Sequence, residues 1–195
     1  MTNCSRAAWL GLGQILEQSG RKAEAERCYS QALTNRVHLA IELADLARFC
    51  QTRGWLEAAI TNYDDALKTQ PSNPMLHVWA GQSLEGLRRR PEAAVHYAAA
   101  SVLAPEMPEA RFLHGVALGW EGKFSQAADE FKETVRLRPD LIEARLNLGI
   151  ALRGEGHKSE ALEQFEEVLR QSPSNTLALQ LRRQLLDKIE PAPAR

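Results

Sequence analysis

Apolar and polar residues follow one another along this chain with a helical rhythm, in blocks that stop and restart. Between Ile142 and Gly154, the residues Ala144, Leu148, Ala151 and Leu152 fall three or four apart, which places them on one face of a helix. Gly156 then predicts a break, because glycine readily takes the left-handed backbone that a helix end needs. A second helix is expected to begin near Ser159 as its N-cap, with Ala161, Leu162, Phe165, Val168 and Leu169 facing inward. Pro173 has no N–H with which to continue the ladder and closes the block.

The same block recurs. Ala25, Ala59, Ala93, Ala127 and Ala161 stand 34 residues apart, and four residues beyond each lies an aromatic: Tyr29, Tyr63, Tyr97, Phe131 and Phe165. Small residues keep the period at Gly13, Ala47, Gly81, Gly115 and Gly149. A further column reads Gly20, Gly54, Arg88, Gly122 and Gly156, and proline closes units at Pro71, Pro105, Pro139 and Pro173, with Val37 in the first place. These columns divide residues 6–175 into five units, 6–39, 40–73, 74–107, 108–141 and 142–175. The prediction is an all-α solenoid of stacked antiparallel helix pairs. The small columns let neighbouring helices approach, and the aromatic of each unit fills the space between them. Residues 176–190 are expected to form a capping helix, with Leu181, Leu185 and Leu186 on one side and Arg182, Arg183 and Lys188 outward. Residues 1–5 and 191–195 are expected to be disordered.

These columns resemble the tetratricopeptide repeat, whose pattern runs from a Trp through a Leu-Gly pair, a Tyr, an Ala and an aromatic to a closing Pro. Trp9, Leu12 and Gly13 match its opening best. The Trp column continues as Leu43, His77, Arg111 and Arg145, the Tyr column as Leu16, Cys50, Leu84, Leu118 and Leu152, and His114 replaces a Leu. The resemblance implies a right-handed superhelix in which the first helix of each pair lines a concave groove. It also implies a non-enzymatic scaffold or adaptor that binds a peptide or helix of another protein there. A regulatory or targeting module of a larger enzyme system, such as a transferase, is one alternative, and a self-assembling homo-oligomeric scaffold is another.

Turning the register by about 100° per residue finds the residues that face the groove. Leu10 and Gln14 come first, followed by Glu17, Ala44, Arg48 and Gln51. Val78, Gln82 and Glu85 continue the row, then Phe112 and Val116, then Leu146, Ile150 and Arg153. Phe112, Val116, Leu146 and Ile150 form an apolar block, with Trp120 and Trp79 as neighbouring aromatic anchors. Two specialised uses of the family find no counterpart. Where a clamp for a C-terminal carboxylate needs basic and amide side chains, the chain has Leu10, Gln14, Asp45, Met75 and Trp79. Where sugar-transferase repeats carry an asparagine ladder, it has Gly11, Asp45, Trp79, Leu113 and Asn147.

Composition adds little beyond exclusions. With 24 Lys+Arg against 25 Asp+Glu the formal charge is −1, too balanced for a nucleic-acid partner. The 44% of apolar residues supplies a core, yet nowhere do about 18 of them run together as a membrane span requires. Three cysteines, Cys4, Cys28 and Cys50, form no CxxC pair, which fits a reduced, cytoplasmic setting. The histidines show no metal-ligand spacing, so no cofactor and no metal are expected.

Overall fold

The computed structural model describes residues 6–34 and 40–189. The termini expected to be disordered, and with them Val37 and His38, lie outside the described residues. Among those described, eleven helices and no strand are present: α1 (Arg6–Gln18), α2 (Lys22–Thr34), α3 (Ala40–Thr52), α4 (Leu56–Thr69), α5 (Pro74–Gly86), α6 (Arg90–Leu103), α7 (Pro108–Trp120), α8 (Phe124–Leu137), α9 (Ile142–Glu155), α10 (Lys158–Gln171) and α11 (Thr176–Ile189). Each odd-numbered helix up to α9 packs along the even one that follows it, and from α4 onward each even helix also packs on the next odd one. The odd helices α3, α5, α7 and α9 touch in succession, whereas successive even helices lie further apart. The stack therefore curves with the odd helices inside.

The tight joint within each pair depends on a missing side chain. A Cβ added at Gly149 would lie 2.5 Å from Phe165, and one at Gly81 the same distance from Tyr97. Across the aromatic column Tyr29, Tyr63, Tyr97, Phe131 and Phe165 no ring is more than 3% exposed. Burying each ring stabilises the stack by about 2–3 kcal/mol. The turn inside each pair is left-handed: Gly20, Gly54, Gly122 and Gly156 have φ between 73° and 92°, and Arg88 takes the same turn at φ 63°.

A second regularity ties each pair to the turn before it. His77 Nε2 meets the carbonyl of Pro71 at 3.1 Å, Arg111 Nε donates to that of Pro105, and Arg145 Nη2 donates to that of Pro139 at 3.4 Å. The residues that depart from the Trp column are therefore polar for a reason, since they satisfy the carbonyl exposed where a helix has ended at proline. At the first junction Arg53 reaches back to the Glu17 carboxylate and to the hydroxyl of Tyr29, and its guanidinium lies 4.9 Å from the Tyr29 ring.

Local expectations need two corrections. Ser159 is not a cap: α10 starts at Lys158 after His157, directly behind the Gly156 turn, so Ser159 already lies in the first turn. Side-chain caps are found instead at α5, where Asn73 Oδ1 accepts from the N–H of Met75 at 3.1 Å, and at α11, where Asn175 Oδ1 accepts from the N–H of Ala178 at 2.9 Å. On α11, Ala178, Leu181 and Leu185 are buried, but Leu186 is 40% exposed and does not share their inward face. At the other end Leu12 and Ile15 are 44% and 64% exposed, although Leu46 and Leu148, one and four periods after Leu12, are buried.

Candidate partner-binding groove

The residues expected to line the groove divide into three kinds. Gln14 and Arg48 are exposed, and the Arg48 guanidinium lies over the ring of Trp79 at 4.9 Å. Leu10, Trp79, Gln82, Phe112, Val116, Trp120, Leu146, Ile150 and Arg153 are half-buried. Val78 is fully buried at 0%, packed with Ala100 and Ala110, and so does not face a groove. Its neighbour Trp79 takes the inward-rim position and stacks on Tyr63 at 6.1 Å. Trp79 thus bridges two clusters, the one centred on α3 and α4 and the one formed by Val78, Ala100 and Ala110.

That block is a floor rather than a free patch. Phe112, Val116, Leu146 and Ile150 all pack partly against the core formed by α7 to α11, and the Phe112 ring lies 5.8 Å from that of Phe131. Their outer halves remain accessible along α7 and α9. Arg153 closes the row by donating to Gln184 of α11 at 3.2 Å.

The rim of the groove changes character midway. Tyr29 donates its hydroxyl to Glu17 at 3.0 Å, Tyr63 to Gln51 at 3.0 Å and Tyr97 to Glu85 at 2.9 Å. One and two periods on, the pairs read Gly119 with Phe131 and Arg153 with Phe165, so hydroxyl and acceptor disappear together. Hydrogen bonding to Arg53 holds the Glu17 carboxyl below its usual range. Burial pushes the Tyr97 hydroxyl well up, and the Glu85 carboxylate pushes it further. The first three pairs therefore offer a polar, partly acidic rim, while the fourth is bare at Gly119 and the fifth carries the basic Arg153. This switch was visible in the sequence as a tyrosine that always follows an acid or amide by 12 residues.

A polar network sits behind the floor. Arg111 and His114 both reach Glu130, at 3.0 Å each, and the Ser101 hydroxyl lies 3.0 Å from the same His114 Nδ1. Burial alone would raise the Glu130 carboxyl, but the hydrogen bonds from His114 and Arg111 outweigh it and hold the group below its usual range. A relay from serine through histidine to an acid needs the two partners on opposite ring nitrogens. Here both use Nδ1, so the cluster does not form such a relay. No grouping of three or more metal-ligating side chains occurs among the described residues.

Antiparallel helix pairs stacked at a fixed period, with the odd helices along one groove, define an α-helical repeat protein. The chain belongs to the tetratricopeptide repeat family: models of that repeat match residues 6–35, 52–108 and 121–185. No curated protein matches it by sequence. Among solved structures it is similar to YrrB, described as a TPR protein with an unusual peptide-binding site, at 22% identity and TM-score 0.73, covering 90% of this chain and 91% of that one. A tetratricopeptide repeat protein from Parabacteroides merdae is similar at 18% identity and TM-score 0.74, covering 94% and 73%. MamA from Desulfovibrio magneticus is similar at 20% identity and TM-score 0.70, covering 88% and 97%. At these identities the likeness concerns the fold. No helix among the described residues is long and apolar enough to cross a membrane.

Proposed function

We propose that the chain is a non-enzymatic interaction scaffold which holds a peptide or helix of a partner protein in its groove, with the partner's apolar side on α7 and α9. The observation that carries this reading is the half-buried row Phe112, Val116, Leu146 and Ile150, left accessible where an idle surface would be polar. The peptide-binding site named for YrrB is in keeping with it. The test is capture of partners from native lysate by wild type and by a Phe112→Asp, Ile150→Asp variant whose helicity and melting are checked by circular dichroism. A protein bound by wild type and lost from the folded variant supports the reading, and equal capture by both overturns it.

A second reading has an observation of its own. Leu12 and Ile15 leave an apolar face on α1 that later units cover, which favours contact with a second copy. Sedimentation velocity of wild type and of Leu12→Glu, Ile15→Glu decides it. A wild-type dimer that dissociates in the variant supports self-assembly, and a monomer in both excludes it.

A further inference from the structure

The inner rim of α7 differs from the earlier ones by what it lacks. Glu17, Gln51 and Glu85 occupy their rims and accept tyrosine hydroxyls, but at Gly119 there is no side chain and the ring beneath is Phe131. A socket of about 170 Å³ results, lined around Gly119 by Val116, Trp120, Phe124, Phe131 and Ile150. The walls are mainly hydrocarbon, with Asn147 a polar side chain among them, so a bulky apolar side chain can displace the water held there.

Trp120 joins this socket to a basic rim. At the junctions on either side a large residue sits against a glycine, Leu56 on Gly86 and Phe124 on Gly154. At the junction between them the same two positions hold Arg90 and Trp120, with the guanidinium 5.1 Å from the ring centroid. Arg88 and Arg90 line an adjoining hollow of about 450 Å³ with Gln82, Glu85 and Gly86. Arg89 pairs with Glu92 and Lys123 with Glu121, while the Glu85 carboxylate is engaged by Tyr97. Arg88 and Arg90 form no ion pair among the described residues. Arg88 is also held at φ 63°, in a turn that four other pairs make with glycine.

We propose that the socket and the basic rim form one subsite, which takes a bulky apolar side chain of a partner polypeptide together with a carboxylate next to it. The proposal rests on the reading of the groove as the interaction surface and adds the chemistry of its occupant. The apolar side chain is desolvated between Trp120, Phe124 and Ile150. The carboxylate meets Arg90 and Arg88, whose forked donors match its two oxygens.

The test uses a position where substitution is sterically clean. A Cβ at Gly119 meets nothing within 4 Å, so Gly119→Gln refills the rim without touching the core, and it replaces a poor helix former. N-acetyl-Phe-Asp-amide and N-acetyl-Phe-Asn-amide are titrated into wild type, Gly119→Gln and Arg90→Gln, following the Trp120 indole N–H by NMR. In wild type the Asp peptide binds about tenfold more tightly than the Asn peptide. Gly119→Gln loses both, and Arg90→Gln loses only the preference for Asp. Failure of both peptides to bind wild type, equal affinity for the two, or undiminished binding to Gly119→Gln overturns the proposal. The lysate capture is then repeated with Gly119→Gln. A partner lost from the Phe112→Asp, Ile150→Asp variant but kept by Gly119→Gln leaves the groove in place and overturns the subsite. Loss from both supports the subsite, and retention by both overturns groove and subsite together.

Discussion

The hydroxyl of Tyr97 donates to the carboxylate of Glu85 at 2.9 Å, closing α6 onto α5 across the inner rim, and the next pair has dispensed with both halves of that bond. The relationship makes a double substitution predictable. Phe131→Tyr alone sets a hydroxyl in the open socket opposite Gly119, where only water meets it, and shifts stability by no more than about 0.5 kcal/mol. Adding Gly119→Glu supplies a fixed acceptor and couples favourably by about 0.5–1.5 kcal/mol. Urea denaturation of wild type, both single variants and the double variant measures the coupling. Additive effects would refute it.

Gly149→Ala tests the close approach of paired helices. By propensity alone alanine in a helix gains about 1 kcal/mol over glycine. Its Cβ would lie 2.5 Å from the ring of Phe165, and overpacking of this kind costs about 1–3 kcal/mol. A lower melting temperature is expected, and Ala127→Leu, at a residue with 0% exposure, is expected to lower it too. An unchanged or raised melting temperature in both contradicts the packing argument.

Arg88→Gly is expected to stabilise the fold, the reverse of the usual effect of introducing glycine. The left-handed backbone at φ 63° costs a residue with a Cβ about 1–2 kcal/mol. Removing that cost raises the urea midpoint while weakening capture of an acidic peptide. A lowered midpoint would show that the guanidinium stabilises the turn.

Stability is expected to fall in two stages on acidification. His96 is held below its ordinary 6.5 by burial first and by His77 second, against the opposing pull of Asp64 and Glu92. The unfolded chain takes up this proton near 6.5 and the folded one only at lower pH. Stability therefore declines below 6.5 and levels off beneath the folded value. Glu130 has its carboxyl held below the usual 4.5, so its contribution is present above 4.5 and lost as pH falls through the lower folded value. Urea midpoints measured down the pH scale should show His96→Gln flattening the first decline and Glu130→Gln the second.

Periodicity made the helices legible, because a core position needs its apolar or small residue in every unit. Ala25 to Ala161 and Tyr29 to Phe165 are buried for the reason their spacing implied. Orientation was harder to read. Val78 shares a register with Phe112, yet the indole of Trp79 occupies the rim and turns Val78 into the core. Likewise, His77, Arg111 and Arg145 read as drift from an aromatic column, because their partners are backbone carbonyls of Pro71, Pro105 and Pro139, which leave no mark in a side-chain pattern. The socket was hidden for a related reason: Gly119 looks like one more small residue until the side chain it replaces is known.

The bonds that tie each pair to the turn before it give the rod an uneven elasticity. The first joint is held by the Arg53–Glu17 ion pair, with both side chains partly in solvent, and added salt screens it. The second depends on His77, while Arg111 and Arg145 clip the third and fourth to backbone carbonyls. Salt therefore slackens one end of the spring, while the portion that carries Phe112 and Ile150 keeps its pitch. Pulled from its two ends in a force experiment, the molecule should yield first at the joint beside α2, and at lower force as ionic strength rises.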